Sequence, residues 1–299
     1  FRQCDEKVVQ ILERHPFPHS LVRLLDTPHA NMGGTSMRKG SLTIVGTGLA
    51  LAGQVTQEAL SAIQEADRFL YLVSDIVTAT WLDSLNPTAE SLYGAYAEGR
   101  PREETYAEIV ERILVHLREG GHVVVAFYGH PGVFVGPSHE AIRLARAEGF
   151  AAQMLPGISA EDCPFADLGI DPGERGCQSF EATDFLLRRR IFDPTSTLIL
   201  WQIGGIGVFD FRSKPLWSRH GLEVLERELL QSYPADHEIV VYEAVPYPTL
   251  SPKILRVPLS EMARAEVSIR STLYVPPLPD RESDPEMRAA LGLPGWKPA

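Results

Sequence analysis

Three tyrosines surround Arg102 within fifteen residues of this chain, in the segment LYGAYAEGRPREETY at 92–106. Tyr93, Tyr96 and Tyr106 are three of only nine tyrosines, and Arg102 stands between them. A guanidinium held near a phenol lowers the phenol pKa from about 10, because it favours the phenolate. Such a group can take a proton or bind an oxyanion. The segment is therefore a candidate for acid–base chemistry.

A predicted helix positions the second half of this segment. Pro101 suits the first helical position, and the acidic residues after Arg102 suit the positive end of a helix. The apolar face of this helix has the expected spacing and comprises Tyr106, Ile109, Val110, Ile113 and Leu117. Periodicity alone favours a core tyrosine with a satisfied hydroxyl. Arg102 fits that interpretation poorly, since a cation in the first helical turn is disfavoured by about 0.3–1 kcal/mol.

Three loops rich in glycine and proline follow predicted strands, where open α/β sheets bind ligands. The first contains Gly46 and Gly48, but the next glycine is Gly53, so the spacing is not the dinucleotide fingerprint GxGxxG. An ordinary strand-to-helix turn is the simpler interpretation of that loop. The other two loops are FYGHPGVFVGPSH at 127–139 and PGISAED at 156–162.

Polar residues in the second and third loops have simple structural explanations. His130 and His139 have no third ligand at metal spacing, so backbone or capping roles are favoured and no metal is expected. Ser159 is followed three residues later by Asp162, which is typical of a helix N-cap. GISAE also lacks the GxSxG elbow of a serine nucleophile.

Buried strands alternate with helices along the chain, which indicates an α/β fold with a mostly parallel N-terminal sheet and a second α/β domain. The predicted strands lie at 41–48, 68–74, 121–129, 196–204, 237–245 and 271–277. The predicted helices lie at 5–14, 57–67, 101–117, 140–149 and 222–233, with a helical turn at 287–291. We divide the chain into an N-terminal appendage at 1–36, a first domain at 37–163, a second domain at 164–279 and a tail at 280–299.

Composition excludes several classes of protein. The 299 residues include 44% hydrophobic and 22% charged residues, and the net charge is −11 at pH 7. This charge argues against a broad surface for nucleic acid or anionic lipid, and no apolar run approaches the roughly 18 residues of a membrane span. The three cysteines are too few and too scattered for a disulfide framework. We expect a soluble cytoplasmic protein with no nucleic-acid or membrane partner.

Five motifs, in order and spacing, closely resemble those of the borosin peptide backbone N-methyltransferases, a branch of the tetrapyrrole methylase superfamily. They are GSLTIVGTG, LYGAYAEGRPREETY, FYGHPGVFVGPSHEAI, MLPGISAEDCPFADLGIDP and CQSFEATDFL. The resemblance covers about 40–277, and WQIG, YEAV and STLYVPP carry it into the second domain. It implies a two-domain tetrapyrrole-methylase-like fold that binds S-adenosylmethionine between the domains and releases S-adenosylhomocysteine. It also implies a precursor peptide as substrate and a homodimer.

By motif position, the resemblance makes Tyr93, Tyr96, Arg102 and Tyr106 the catalytic side chains. An amide nitrogen is barely nucleophilic until it loses its proton, and our hypothesis is that Tyr106 takes that proton. Arg102 and either Tyr93 or Tyr96 would stabilise charge on the amide oxygen. The residues implied for the cofactor pocket are Gly46, Gly48, Tyr128, His130, Pro131, Val133, Ser159, Ala160, Gln202, Tyr242, Ala244, Ser271 and Thr272.

Departures from the family leave two alternatives open. Self-methylating borosin proteins carry a long C-terminal extension rich in Val, Ile and Gly, whereas this sequence stops at Ala299, so the substrate is either a separate peptide, which we favour, or a missing extension. Residues 1–36 match nothing in the family.

Two other functions compete: carbon methylation of a tetrapyrrole, which needs no strong base beside the methyl group, and peptide binding without turnover. The tyrosine segment favours N-methylation over both.

Overall fold

Two five-stranded sheets organise the part of the chain that the structure describes. The structure is a computed structural model, and it describes residues 40–211, 219–247, 249–293 and 295. The predicted helix at 5–14 and the whole appendage at 1–36 lie outside the described residues.

The first sheet is entirely parallel, with strand order β3-β2-β4-β1-β5. Its strands are β1 Ser41–Gly46, β2 Arg68–Leu72, β3 Glu90–Ser91, β4 His122–Phe127 and β5 Ala151–Met154. The two central strands, β1 and β4, are almost completely buried, as the runs of Val, Ile and Leu in their sequences predict. The carboxyl ends of all five strands meet at one edge, so the glycine loops after β1, β4 and β5 lie together.

Helices cover both faces of this sheet. They are α1 Gln57–Glu65, α2 Ile76–Leu85, α3 Arg102–Glu119, α4 Gly136–Ala147 and α5 Asp162–Leu168. The long helices α3 and α4 pack on one face, and α1 and α2 on the other. The sequence analysis missed α2, whose β-branched residues weaken the helical signal. Asp75 caps this helix, since its side chain accepts a hydrogen bond from the Thr78 amide at 2.8 Å.

The second sheet is mixed, with strand order β6-β7-β10-β8-β9. Its strands are β6 Cys177–Glu181, β7 Thr197–Trp201, β8 Glu238–Glu243, β9 Lys253–Pro258 and β10 Thr272–Val275. Only β6 and β7 pair in parallel. The surrounding helices are α6 Pro172–Arg175, α7 Ala182–Leu187, α8 Arg219–Leu229, α9 Pro285–Ala290, and the 3₁₀ helices Ile203–Gly205 and Leu259–Arg264. A separate hydrophobic core lies against this sheet.

The predicted α/β class with a mostly parallel first sheet is confirmed. Two helices begin about one turn earlier than predicted. The helix α4 begins at Gly136, where Pro137 suits its first turn, and α8 begins at Arg219. The edge strands β6 and β9 were not predicted, because their sequences are more polar than those of the central strands. The predicted domain boundary at 163/164 falls within α5, and the division stays a prediction.

No helix among the described residues is both long enough and apolar enough to cross a bilayer.

Candidate functional site

A cavity of about 570 Å³ lies between the carboxyl edge of the first sheet and the second sheet. Its volume falls within the roughly 300–1,000 Å³ of pockets that hold small molecules. Leu72 and Phe127 line it from the ends of β2 and β4. Trp201, Tyr242 and Thr272 line it from strands of the second sheet. Both sheets therefore contribute to one candidate site.

The structure brings Tyr93, Tyr96, Arg102 and Tyr106 to the wall of this cavity. Tyr93 begins a single 3₁₀ turn that ends at Ala95, and Tyr96 follows it. The rings of Tyr93 and Tyr96 lie 5.5 Å apart. Arg102 is the first residue of α3, and Tyr106 follows one turn later. This arrangement gathers three phenols and one guanidinium, which we call the aromatic group.

The position of Tyr106 is compatible with both of the roles that the sequence left open. It is half-buried and packs against the core beneath α3, as the apolar face predicted. Its ring also lines the cavity and lies over the start of α4, where a Cβ atom on Gly136 would be 3.7 Å from its Cδ2. A core position and a place in the site are therefore compatible for this residue.

Burial dominates the electrostatics of Tyr96. Its pKa is raised to about 12, first by burial and then by the neighbouring phenols of Tyr106 and Tyr93, while Arg102 acts in the opposite direction. Arg102 lowers the pKa of Tyr96, in the direction that the sequence predicted. The net pKa nevertheless rises, because the cost of placing a charged phenolate out of water exceeds the attraction of the guanidinium.

Phe211 completes the aromatic group and was missed by the sequence analysis. Its ring centroid lies 5.0 Å from that of Tyr96 and 6.4 Å from that of Tyr93. The Gly99 amide donates to the Phe211 carbonyl at 3.0 Å, and the Phe211 amide donates to the Arg100 carbonyl at 3.2 Å. This pairing is set by tertiary structure, so no local pattern around Phe211 could have revealed it.

The three glycine loops touch through their backbones. A Cβ atom on Gly46 would lie 2.3 Å from the Gly129 carbonyl oxygen and 2.7 Å from Cδ of Pro131. Gly48 and Gly129 exchange two main-chain hydrogen bonds of 3.2 and 2.9 Å. A Cβ atom on Gly157 would lie 3.5 Å from Cα of Gly46. The loops after β1, β4 and β5 therefore converge at one place, beside the cavity.

The thirteen residues predicted for a cofactor pocket divide into two sets. Eight line the cavity: Tyr128, His130, Val133, Ala160, Gln202, Tyr242, Ala244 and Thr272. Five lie outside its lining: Gly46, Gly48, Pro131, Ser159 and Ser271.

The residues outside the lining make contacts that hold the loops. The sequence predicted Ser159 as a helix N-cap, but α5 begins at Asp162 with Glu161 as its N-cap, so that prediction is wrong. Ser159 instead holds the turn before α5: the Glu161 amide donates to Ser159 Oγ at 3.0 Å, and the Ser159 amide donates to Asp162 Oδ2 at 2.6 Å. Ser271 is completely buried and donates to Glu243 Oε1 at 2.5 Å. The roles of both sets in binding a cofactor stay predictions.

Hydrogen bonds within the second loop also occupy its histidines. The Gly132 amide donates to Nδ1 of His130 at 3.0 Å. Nε2 of His139 lies 2.8 Å from the Gly132 carbonyl oxygen. Both histidines thus make the backbone contacts that the sequence favoured. Among the described residues, no group of three His, Cys, Asp or Glu side chains is arranged to hold a metal ion.

Two non-glycine residues in the cavity wall have left-handed backbones, Phe134 with φ 56° and Gln202 with φ 58°. Residues other than glycine adopt this conformation rarely and at a cost of about 1–3 kcal/mol, so it persists only where the surroundings hold it. The ring of Phe134 contacts Trp201 edge-on at 6.1 Å. Neither conformation could be predicted from the neighbouring residues.

Tyr242 closes the second-sheet side of the cavity. It is almost fully buried, and its hydroxyl donates to Asp167 Oδ2 at 2.6 Å. Burial and this carboxylate raise the pKa of Tyr242 well above its ordinary value. The Tyr242 side chain is therefore held neutral and fixed in orientation.

Curated proteins similar to this chain are named both as methyltransferases and as precursors of ribosomally synthesized cyclic peptides. The chain is 45% identical over 247 residues to a methyltransferase/ribosomally synthesized cyclic peptide gymnopeptides precursor of Gymnopus fusipes, covering 81% of the chain and 59% of the relative. It is 41% identical over 263 residues to the corresponding omphalotin A precursor of Omphalotus olearius, covering 87% and 63%. A methyltransferase/type III borosin cyclic peptide precursor of Anomoporia bombycina is 43% identical over 261 residues, covering 86% and 30%. The expected resemblance to borosin proteins is confirmed, and the chain spans less than two thirds of these relatives.

Solved structures share the fold. The uroporphyrin-III C-methyltransferase of Thermus thermophilus complexed with S-adenosylhomocysteine matches with a TM-score of 0.56 and 19% identity, covering 79% of this chain and 92% of that one. At this identity the likeness establishes the fold alone. The family model of the tetrapyrrole (corrin/porphyrin) methylases matches residues 41–263, which include both sheets except β10. The chain therefore belongs to the tetrapyrrole (corrin/porphyrin) methylases.

Proposed function

We propose that this chain is an S-adenosylmethionine-dependent methyltransferase that methylates backbone amide nitrogens of a ribosomally made precursor peptide. One observation carries the proposal: Tyr93, Tyr96, Arg102 and Tyr106 converge on the same cavity as the glycine loops. The names of the relatives, which join a methyltransferase to a cyclic peptide precursor, support the same reaction and substrate class.

The residues around the cavity fit S-adenosylmethionine. The tight backbone contact of the glycine loops leaves an open edge where a ligand can reach main-chain groups. Apolar side chains suited to an adenine ring face this edge, and polar ones suited to a ribose and an amino acid stand among them. The residues that would hold the cofactor are Tyr128, His130, Val133, Ala160, Gln202, Tyr242, Ala244 and Thr272. When bound, S-adenosylmethionine supplies an electrophilic methyl group carried on a sulfonium.

The chain's own residues must make the amide nitrogen reactive. Tyr106 first gives its own phenol proton to solvent and then accepts the amide proton at its phenol oxygen, which leaves an imidate with negative charge on the amide oxygen. Tyr96, whose pKa of about 12 keeps it protonated, donates a hydrogen bond to that oxygen. Arg102 stabilises the same charge without leaving its position at the start of α3.

The electrostatics of the aromatic group support this division of roles. Burial opposes ionisation of Tyr96 more strongly than Arg102 favours it, so Tyr96 is suited to donate a proton in a hydrogen bond rather than to remove one. The Thermus thermophilus proteins, which share the fold, are named for carbon methylation of a tetrapyrrole ring. That reaction needs no strong base next to the methyl group, so the shared fold does not decide the substrate.

The oligomeric state and the compartment belong to the same proposal. We infer that the protein works as a homodimer and that it does so in the cytoplasm. The motif resemblance supports the dimer, and the cysteine content supports a reducing compartment. Sedimentation analysis tests the dimer directly, with a single monomer species as the contrary result.

The reaction is tested by incubating the protein with S-adenosylmethionine and a synthetic precursor peptide rich in Val, Ile and Gly. We expect stepwise addition of methyl groups, which tandem mass spectrometry locates on backbone nitrogens. Methyl transfer only to uroporphyrinogen would instead support the tetrapyrrole reaction. Cofactor binding without transfer to either acceptor would indicate a peptide-binding protein without turnover.

The role of Tyr106 is tested with Tyr106→Phe and a matched control. Tyr233→Phe makes the same change in the core of the second sheet, where the hydroxyl has no hydrogen-bond partner among the described residues. We expect Tyr106→Phe to lower turnover by about 10²–10⁴-fold while the cofactor affinity stays unchanged, and Tyr233→Phe to retain turnover. Equal turnover in the two variants would remove Tyr106 from the role of base.

A further inference from the structure

A cluster of charged residues stands behind the aromatic group, on the outer side of α3. Glu108 receives one guanidinium on each carboxylate oxygen: Arg100 bonds Oε2, and Arg112 bonds Oε1 at 2.5 Å. The side chains of Arg100 and Glu108 are 29% and 31% exposed. We call these three residues the Arg100 clamp. Because both oxygens of one carboxylate are used, the orientation of Glu108 is fixed.

The clamp reaches the turn that carries two of the tyrosines. Nη1 of Arg100 also donates to the Ala95 carbonyl at 3.0 Å. Ala95 is buried and lies between Tyr93 and Tyr96, so its carbonyl belongs to the backbone that sets the direction of both phenols. Arg112 lies near the same turn, since a Cβ atom on Gly94 would be 4.0 Å from its Nη1.

The other end of the clamp is fixed to α3. Glu108 lies two residues after Tyr106 and six after Arg102, on the same rigid helix. Nη2 of Arg100 makes a long contact of 3.5 Å with the Glu104 carbonyl in the first turns of that helix. The clamp therefore connects the two halves of the aromatic group: Tyr93 and Tyr96 on the turn, and Arg102 and Tyr106 on the helix.

Stability alone is a weak reason for this arrangement. Ion pairs that are partly exposed contribute about 0–1 kcal/mol, because water screens the charges and long side chains lose entropy. Position is more sensitive, since a shift of about 1 Å in a reacting group can cost about 100-fold in rate. Loss of these ion pairs should therefore change the rate of the reaction more than it changes the free energy of unfolding.

We propose that Arg100 and Glu108 are positioning residues that set the distance between the tyrosines of the turn and the side chains of α3. This inference rests on the proposed function, because it assigns the purpose of that geometry to methyl transfer. Neither residue contacts the cavity, and both act through the Ala95 carbonyl and α3.

Activity of matched variants provides the first test. Arg118 forms a comparable cluster with Glu111 and Glu148 at the far end of α3, so Arg118→Ala is the control for Arg100→Ala. We expect Arg100→Ala to lower kcat for the precursor peptide by about 10–100-fold, with a smaller change in the peptide KM. Cofactor affinity and Tm should match those of Arg118→Ala. Arg100→Lys, which retains one contact, should recover part of kcat.

Coupling between the two residues sharpens this test. Arg100→Ala and Glu108→Ala disrupt the same clamp, so the double variant should lose no more kcat than the worse single variant. Additive losses would mean that the two residues act separately, and would overturn the proposal.

A second readout does not depend on turnover. Protein labelled with 3-fluorotyrosine gives one ¹⁹F signal per tyrosine, and Tyr93→Phe and Tyr96→Phe assign the two signals of the turn. We expect Arg100→Ala to shift or broaden both signals and to leave that of Tyr242 unchanged, while Arg118→Ala changes none of them. If wild-type protein fails to methylate the peptide, the proposed function fails, and these spectra still decide whether the clamp sets the tyrosines. Unchanged Tyr93 and Tyr96 signals in Arg100→Ala would overturn the inference.

Discussion

The contact between the glycine loops makes Gly46→Ala a demanding substitution. The added methyl group would lie 2.3 Å from the Gly129 carbonyl oxygen and 2.7 Å from Cδ of Pro131. Real Cβ atoms are essentially never found closer than 3.0 Å to such a neighbour. The neighbour here is backbone at the end of β4, so it cannot rotate away as a flexible side chain can.

The destabilisation caused by Gly46→Ala follows from the backbone atoms that must move. Gly129 would have to shift by about 0.7 Å, and overpacking of this kind costs about 1–3 kcal/mol. The shift also strains the two hydrogen bonds that Gly48 and Gly129 exchange, each of which contributes about 1 kcal/mol. We therefore expect Gly46→Ala to destabilise the protein by about 3 kcal/mol, which lowers Tm by about 6–12 °C.

Gly53→Ala is the matched control for this experiment. Gly53 is exposed in the same connection between β1 and α1, and the nearest atom to its added Cβ would be the Leu51 carbonyl oxygen at 3.7 Å, an ordinary contact. Thermal and urea unfolding of both variants gives the comparison, and we expect Gly53→Ala to stay within about 0.5 kcal/mol of wild type. Equal Tm values for the two variants would refute the close backbone approach on which the description of the loops depends.

Three further substitutions follow from single contacts. Asn86→Ala removes the bonds from a buried amide to two main-chain carbonyls at the end of α1, at 2.8 and 3.0 Å, and should cost about 2–4 kcal/mol in urea unfolding. Tyr242→Phe leaves Asp167 without its hydroxyl donor and should cost about 1–2 kcal/mol in the same assay. The folded-state pKa of Tyr96 lies above its ordinary value of 10.0, so its stabilisation is complete below pH 10 and lost toward pH 12. The free energy of unfolding should therefore fall less for Tyr96→Phe than for wild type over that pH range, by on the order of 2 kcal/mol.

Local sequence signals were sufficient to predict the helices and strands that are buried on one side or completely. The apolar runs of β1 and β4 and the periodic face of α3 depend only on neighbouring residues, so they could be predicted. The helix α2 could not, because its β-branched residues weaken the helical signal. The edge strands β6 and β9 could not, because they depend on pairing with a distant strand, and tertiary context decides such strands.

The same distinction holds for the candidate site. Arg102 and Tyr106 share one helix, and the tyrosines of the turn precede it directly, so a linear pattern could group them. Phe211 joins them only because 99–101 pairs with 210–211 across the cavity. Arg100 stands within the quoted segment, yet its contacts with Ala95 and Glu108 depend on how the turn meets α3. Residue types could be recognised from sequence, whereas their connections could not.

Mutual repulsion between the phenols gives the aromatic group its chemical asymmetry. A negative charge on Tyr106 raises the pKa of Tyr96, and so does a charge on Tyr93, since neighbouring phenolates repel each other in a site with little water. Once one phenol of the group has lost its proton, the others are held more firmly in the neutral form. A single ionised phenol among neutral ones is what amide methylation needs, because one group must take the amide proton while another donates a hydrogen bond to the amide oxygen. Arg102 alone would favour ionisation of every phenol near it, so in the proposed mechanism burial and the closeness of the tyrosines would separate the base from the donor.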